Sequence, residues 1–311
     1  MINLKYSEDE LNNSSYEKIQ VNFSGIIARD ILNMSKEAFV IGATSRGVFL
    51  KTDLNWVIFL TAEIFRNPLT INVSNEETFF DSLNKNKKVI ICDGNIHIPS
   101  KKARLMVSES KVWNPRRNEG ELLCIENRNL LIHDITRILY EEKHDFGLVN
   151  YLYKFFEENN HKSESKQFMF NQVNFFDLYQ AYKEGCEKEF FNNIISLLGL
   201  GVGLTPSGDD FIIGFLLTCN SYPDLSLSKI NLNKISENLR NGAYKKTNLL
   251  SANLIDCATQ GLGDERLVTV LDGLVYGGLD PISSADLILQ WGSSSGCDAF
   301  FGIATALLSL S

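Results

Sequence analysis

The stretch Gly199-Leu-Gly-Val-Gly-Leu-Thr-Pro-Ser-Gly-Asp-Asp-Phe-Ile-Ile-Gly214 decides how this chain is read. It is a glycine-rich loop that runs straight into a helix. Gly199, Gly201 and Gly203 free the backbone for positive φ or for close approach to a ligand. Thr205 is placed as the N-cap and Pro206 as the first helical residue, where a missing N–H costs nothing. Phe211, Phe215 and Leu216 recur at helical spacing, which predicts one buried face. Asp209 and Asp210 fall in the first turn, where the helix dipole favours negative charge.

The same design is written a second time. Ser207-Gly-Asp-Asp210-Phe-Ile-Ile-Gly214 lines up with Ser295-Gly-Cys-Asp298-Ala-Phe-Phe-Gly302, so Ser-Gly-x-Asp-x-x-x-Gly recurs at an offset of 295 − 207 = 88 residues. One Ser-Gly-x-Asp means little. Two copies that share the final glycine and the apolar run predict two helix N-termini facing each other around a ligand or metal. The plainer alternative is that Ser and Gly cap two ordinary helices, with Gly214 and Gly302 allowing close packing.

Around this centre the pattern divides the chain in two. Residues 1–18 are polar and read as a loosely held N-terminus. Residues 19–125 read as a β-rich domain. Ala38–Ile41, Trp56–Leu60, Leu69–Val73 and Val89–Cys92 are short apolar runs, Gly42–Arg46 and Asp53–Asn55 are turns, and Asp93-Gly94 signals a hairpin. Residues 126–311 read as an α-helical domain carrying the twin motifs, with a loop at 159–166 and a helix opened by Asp280-Pro281. The expected fold class is α+β, a barrel or sandwich followed by helices.

Composition narrows the function. The 311 residues (35.1 kDa) give room for two domains, and a net charge of −8 with pI near 5.2 argues against a broad nucleic-acid or anionic-membrane surface. No apolar run reaches the roughly 18 residues of a membrane span, and the acidic N-terminus lacks a signal-peptide core. The six cysteines are scattered and the four histidines (97, 133, 144, 161) show no ligand spacing. These features predict a cytoplasmic protein with reduced thiols, no zinc site and no Ser-His-Asp triad.

The chemistry therefore falls to the twin motifs. Helix N-termini with glycine and hydroxyl groups bind anions, so Gly201, Gly203, Thr205, Ser207, Gly208, Ser293, Ser295 and Gly296 are the candidate substrate-binding residues. Asp210 and Asp298 occupy equivalent places. Converging, they could act as a base or share a cation, with Asp209 as a third ligand; Mg2+ or another divalent ion is the cofactor such a set would take.

The residues 199–214, Thr247-Asn-Leu-Leu-Ser-Ala252 and Gly292-Ser-Ser-Ser-Gly-Cys-Asp298 together resemble a family long known only as a domain of unknown function. That family includes AllH, a subunit of the oxamate carbamoyltransferase of bacterial allantoin breakdown. Where it commonly has His before the second motif, this chain has Trp291. The resemblance implies carbamoyl transfer between oxalurate and phosphate within a complex of different subunits, hence a small anionic substrate and other carbamoyltransferase subunits as partners. Two other readings stay open: a non-catalytic interface subunit, and a metal-dependent hydrolase using Asp209, Asp210 and Asp298.

Overall fold

A computed structural model describes residues 16–73, 80, 83–115, 120–143, 147–158, 169–170, 173–225 and 230–309. The polar N-terminus up to residue 15, the loop expected at 159–166, His144 and His161 lie outside the described residues. The chain forms two compact units, Met1–Asn114 and Pro115–Ser311.

The first unit is a closed barrel. Its strands are β1 (Glu17–Gly25), β2 (Glu37–Thr44), β3 (Gly47–Thr52), β4 (Val57–Thr61), β5 (Thr70–Val73), β6 (Lys88–Cys92), β7 (Asn95–Ile98) and β8 (Ala103–Met106). They run in the order β5-β4-β3-β2-β6-β7-β8-β1, and β1 pairs back onto β5 to close the ring; β9 (Lys111–Trp113) adds to β1. Closure leaves no long edge for another chain to pair with. A register shift between Val21 and Phe23 lets one strand serve two neighbours: its first half pairs with β8, its second with β5 and β9. Alternation fills the interior, with Val40, Leu50, Leu60, Ile71, Val89, Ile96 and Leu105 in one buried cluster. Asp93 and Gly94, with φ of 51° and 69°, make the expected hairpin turn.

Two expectations for this half need correction. Ile26–Met34 is a helix (α1), burying Ala28, Ile31 and Leu32 on one face. Its nine residues were masked by the strand signals on either side. The turn expected at Gly42–Arg46 begins later, because β2 continues through a bulge between Val40 and Gly42 to Thr44.

The second unit is helical: α2 (Ile125–Lys143), α3 (Val149–Glu158), α4 (Phe175–Glu184), α5 (Glu187–Ser196), α6 (Ser207–Ser221), α7 (Leu232–Lys246), α8 (Leu249–Thr259), α9 (Glu265–Tyr276), α10 (Pro281–Leu289) and α11 (Ser295–Leu308), with a short ribbon Met169–Phe170/Val173–Asn174 before α4. These ten helices are one five-helix pattern used twice, α2–α6 and α7–α11. Asn174 and Asp264 cap α4 and α9 in the same way, each accepting from the amide two residues on, and Gly185 and Gly277 end them with positive φ. The starting offset changes from 232 − 125 = 107 through 249 − 149 = 100, 265 − 175 = 90 and 281 − 187 = 94 to 295 − 207 = 88, because helix and loop lengths differ between the copies.

The copies exchange their first two helices. The α2–α3 hairpin packs on α10 and α11 of the second copy, and α7–α8 packs on α5 and α6 of the first. At the centre α6 and α11 cross as closely as backbones allow. A Cβ on Gly214 would lie 2.7 Å from the carbonyl carbon of Ala299 and nearer still to its oxygen; one on Gly302 would lie 2.7 Å from the amide nitrogen of Phe215 and nearer still to the Phe211 carbonyl oxygen. Ala299 and Phe211 are themselves equivalent (299 − 211 = 88), so the contact is reciprocal. Every residue of α6 from Ser207 to Cys219 is buried, so this helix is enclosed on all sides, beyond the single face its spacing predicts.

Candidate functional site

The two motif copies meet where α6 and α11 begin. The Thr205 hydroxyl donates to Asp210 Oδ2 (3.0 Å) and lies 3.0 Å from the Ser295 hydroxyl of the other copy. With the Thr205 proton committed to Asp210, the Ser295 hydroxyl is the donor in that second bond. The relationship crosses over: Ser295 stabilises the charged form of Asp210, and Ser207 that of Asp298. Each half of the site is thus built from both copies.

Asp210 and Asp298 have no exposed surface. Burial is the largest influence on both. It pushes the Asp210 carboxyl well above the usual range, helped by the nearby charge of Asp298, and holds Asp298 at about 6 against the donors that favour its ionised form. One oxygen of each carboxyl, Asp210 Oδ1 and Asp298 Oδ2, is buried without a hydrogen-bond partner. Buried polar atoms are paired almost without exception, so these two mark an incomplete arrangement.

Thr205 is not the helix cap. Pro206 holds that place, with extended backbone and a carbonyl that accepts from the amides of Asp209 and Asp210. The reason is chemical: the Thr205 hydroxyl is drawn to the carboxyl of Asp210 and the hydroxyl of Ser295. Gly208 and Gly296 are corrected too. Their amides donate to the carbonyls of Leu200 and Trp291, both at 2.9 Å, and so are not open to an anion. These glycines serve close packing instead, since a Cβ would overlap the carbonyl oxygens of Leu197 and Ile288. Gly201 and Gly203 are exposed and have φ of 116° and 108°, conformations that suit glycine. Ser207 is buried, Ser295 half-buried, and Ser293 exposed at the rim.

Asp209 has a different task from its neighbour. Its carboxylate accepts from the Gly199 amide (2.8 Å) and, at short range, from the Thr247 hydroxyl. It ties the base of the glycine loop to the α7–α8 junction, and its pKa is raised by burial. Asn248 adds a tether, capping α8 while donating to the Leu204 carbonyl at 3.0 Å. Among the described residues no three His, Cys, Asp or Glu side chains group as a metal site, and Asp209 is not part of the carboxyl pair. Thr247→Val removes one donor from this latch. A loss of about 1–2 kcal/mol is expected, with faster amide hydrogen exchange through 199–204, read by denaturation and exchange mass spectrometry.

Sequence reasoning missed the segment that holds Asp298. The Leu148 amide donates to Asp298 Oδ1 (2.5 Å), and Gly147, at φ 58°, presses so closely that any Cβ would overlap the carboxylate. The signal was the symmetry itself: the turn before α3 stands to the second copy as the turn before α8 stands to the first.

Residues 197–307, from the end of α5 through both motif copies, match the family model described as oxamate carbamoyltransferase subunit AllH. The matched segment carries both motif copies on which the resemblance rests. No solved structure matches the chain. Among the described residues no helix is long and apolar enough to cross a membrane.

Proposed function

We propose that this chain is a subunit of an oxamate carbamoyltransferase-like complex, moving a carbamoyl group between oxalurate and phosphate in the cytoplasm. The observation that carries the reading is the crossing of the two Ser-Gly-x-Asp helix starts inside the segment that matches AllH. In this reaction a phosphate oxygen attacks the carbamoyl carbon, the carbon–nitrogen bond breaks, and the nitrogen leaves as the amide of oxamate with a proton. Charge gathers on the carbamoyl oxygen in between, and oriented hydrogen-bonding groups stabilise it. Thr205, Ser293 and Ser295 form the outer layer that meets the anions. Asp210 and Asp298, buried beneath, position that layer.

The test is reconstitution of the purified chain with its partner subunits, following carbamoyl phosphate formed from oxalurate and phosphate. Activity that requires this chain, together with oxalurate binding lost in Thr205→Val, supports the reading. Full activity from the partners alone overturns it. One observation favours a second reading, a non-catalytic interface subunit: Val202 and Leu204, at the tip of the glycine loop, are 90% and 60% exposed. Under that reading Val202→Asp abolishes assembly and Thr205→Val leaves the rate unchanged.

A further inference from the structure

We propose that Asp210 Oδ1, Asp298 Oδ2 and the hydroxyls of Ser207 and Ser295 form one site for a hard divalent cation at the crossing of α6 and α11. Two carboxyls are buried together, and each leaves one oxygen orphaned. Each is fully enclosed, each belongs to a side chain with no exposure, and each lacks any donor. They occur at equivalent positions of two sequence copies, so the same vacancy in hydrogen bonding has arisen twice around one point.

The hydroxyls supply the remaining oxygens. Ser207 and Asp210 lie three residues apart on the first turn of α6, and Ser295 and Asp298 likewise on α11, which puts each pair of side chains on one face, about 5–6 Å apart at Cβ. Ser207 favours the charged form of Asp298 and Ser295 that of Asp210, and Ser295 reaches Asp210 through the Thr205 hydroxyl, so the four groups converge. The Ser295 proton is turned toward Thr205, which leaves oxygen lone pairs, and not a donor, for the interior. Two carboxylates and two hydroxyls match a divalent ion in charge and in ligand hardness, and water or a substrate oxygen completes its shell. Asp209 is excluded, since both its oxygens are engaged at Gly199 and Thr247. Thr205 and Ser295, both half-buried, are the layer an ion passes to reach the pair.

This ligand set is the same whichever reaction the site performs. It also explains how carboxylates can lie beneath a surface proposed to bind anions, since the ion neutralises them.

The experiment uses the full chain, stripped with a chelator, without substrates. Mg2+, Ca2+ and Mn2+ are titrated while melting is followed, and bound Mn2+ is counted by electron paramagnetic resonance. At ion concentrations about a hundredfold above Kd, mass action raises the melting temperature by roughly 5 °C or more. One Mn2+ per chain, displaced by Mg2+, is expected. Asp210→Asn and Asp298→Asn lose the effect, and Asp209→Asn keeps it. No bound Mn2+ in the unmodified chain overturns the proposal whatever the variants do, and so does a full melting shift in Asp210→Asn. A negative result here with intact carbamoyl transfer separates this proposal from the functional one.

Discussion

Gly214→Ala is expected to destabilise the helical unit by about 3 kcal/mol or more, with melting lowered by roughly 10 °C. The added methyl group meets backbone on the other helix: the carbonyl of Ala299, with its carbon 2.7 Å away and its oxygen nearer. Backbone cannot change rotamer to make room, so α6 and α11 must part, and the separation spreads along a contact that is buried throughout. Gly302→Ala has the mirror-image consequence against Phe211 and Phe215. The two changes strain one crossing, so their combined effect falls short of the sum. A control separates this from the general effect of helical glycine. At Gly242 in α7 a Cβ meets side chains and no backbone: Leu198 Cδ1 at 3.0 Å, the far end of a flexible side chain, and Ile195 Cδ1 at an ordinary 3.5 Å. There alanine gains up to about 1 kcal/mol in helix propensity against a small packing cost, and stability stays within about 1 kcal/mol of the parent. Urea denaturation followed by far-UV circular dichroism distinguishes the three variants. Equal losses at Gly214 and Gly242 would contradict the crossing.

The parts of this molecule legible in sequence are those that local chemistry writes. Alternating residues such as Val48, Leu50 and Thr52, and the Asp93-Gly94 turn, identify a barrel or sandwich without stating closure. Closure depends on β1 pairing with β5, where Val21 meets Val73 across most of the barrel's length of chain. The repeat of Ser207 to Gly214 at Ser295 to Gly302 was visible because side-chain chemistry fixes its spacing. The longer five-helix duplication was not, because its offset shifts between 107 and 88 as helix and loop lengths change. Convergence of Asp210 and Asp298 could be expected from the repeat. Their division of labour with Asp209 could not, since adjacent positions on a helix face different neighbours, and only the fold brings Thr247 to one and Ser295 to the other. Likewise Gly208 and Gly296 looked like anion donors because a helix start leaves its first amides free. The carbonyls that occupy them come from Leu200 and Trp291, whose approach no motif announces.

Asp210→Asn is expected to lower the activity of the reconstituted complex on the order of a hundredfold, as loss of a group that preorganises a stabilising layer does. The expected stability change is smaller, about 1–2 kcal/mol, since the amide is isosteric with the carboxyl and Thr205 can still donate to its oxygen. With the Thr205 bond kept, the asparagine N–H₂ falls where the carboxyl leaves Oδ1 unpaired, so a neutral donor replaces a buried charge-bearing oxygen. Asp210 lies beneath the surface and acts through Thr205 and Ser295, so its removal should fall on kcat while KM for oxalurate changes little. A purely structural role would instead reduce the active fraction and leave both constants of the remaining enzyme unaltered. Ser207→Ala, which takes the donor from Asp298, should follow the same kcat-weighted pattern with a smaller loss. Cys297→Ser is the internal control. That thiol is buried, with its pKa pushed up to about 12, so it supplies no thiolate, and its replacement should leave the rate at the parent value. Initial rates of carbamoyl phosphate formation over a range of oxalurate, with assembly and melting checked on the same samples, decide the outcome. Unchanged kcat in Asp210→Asn removes the buried carboxyl from the reaction. A loss confined to assembly assigns the twin motif to the contact between subunits.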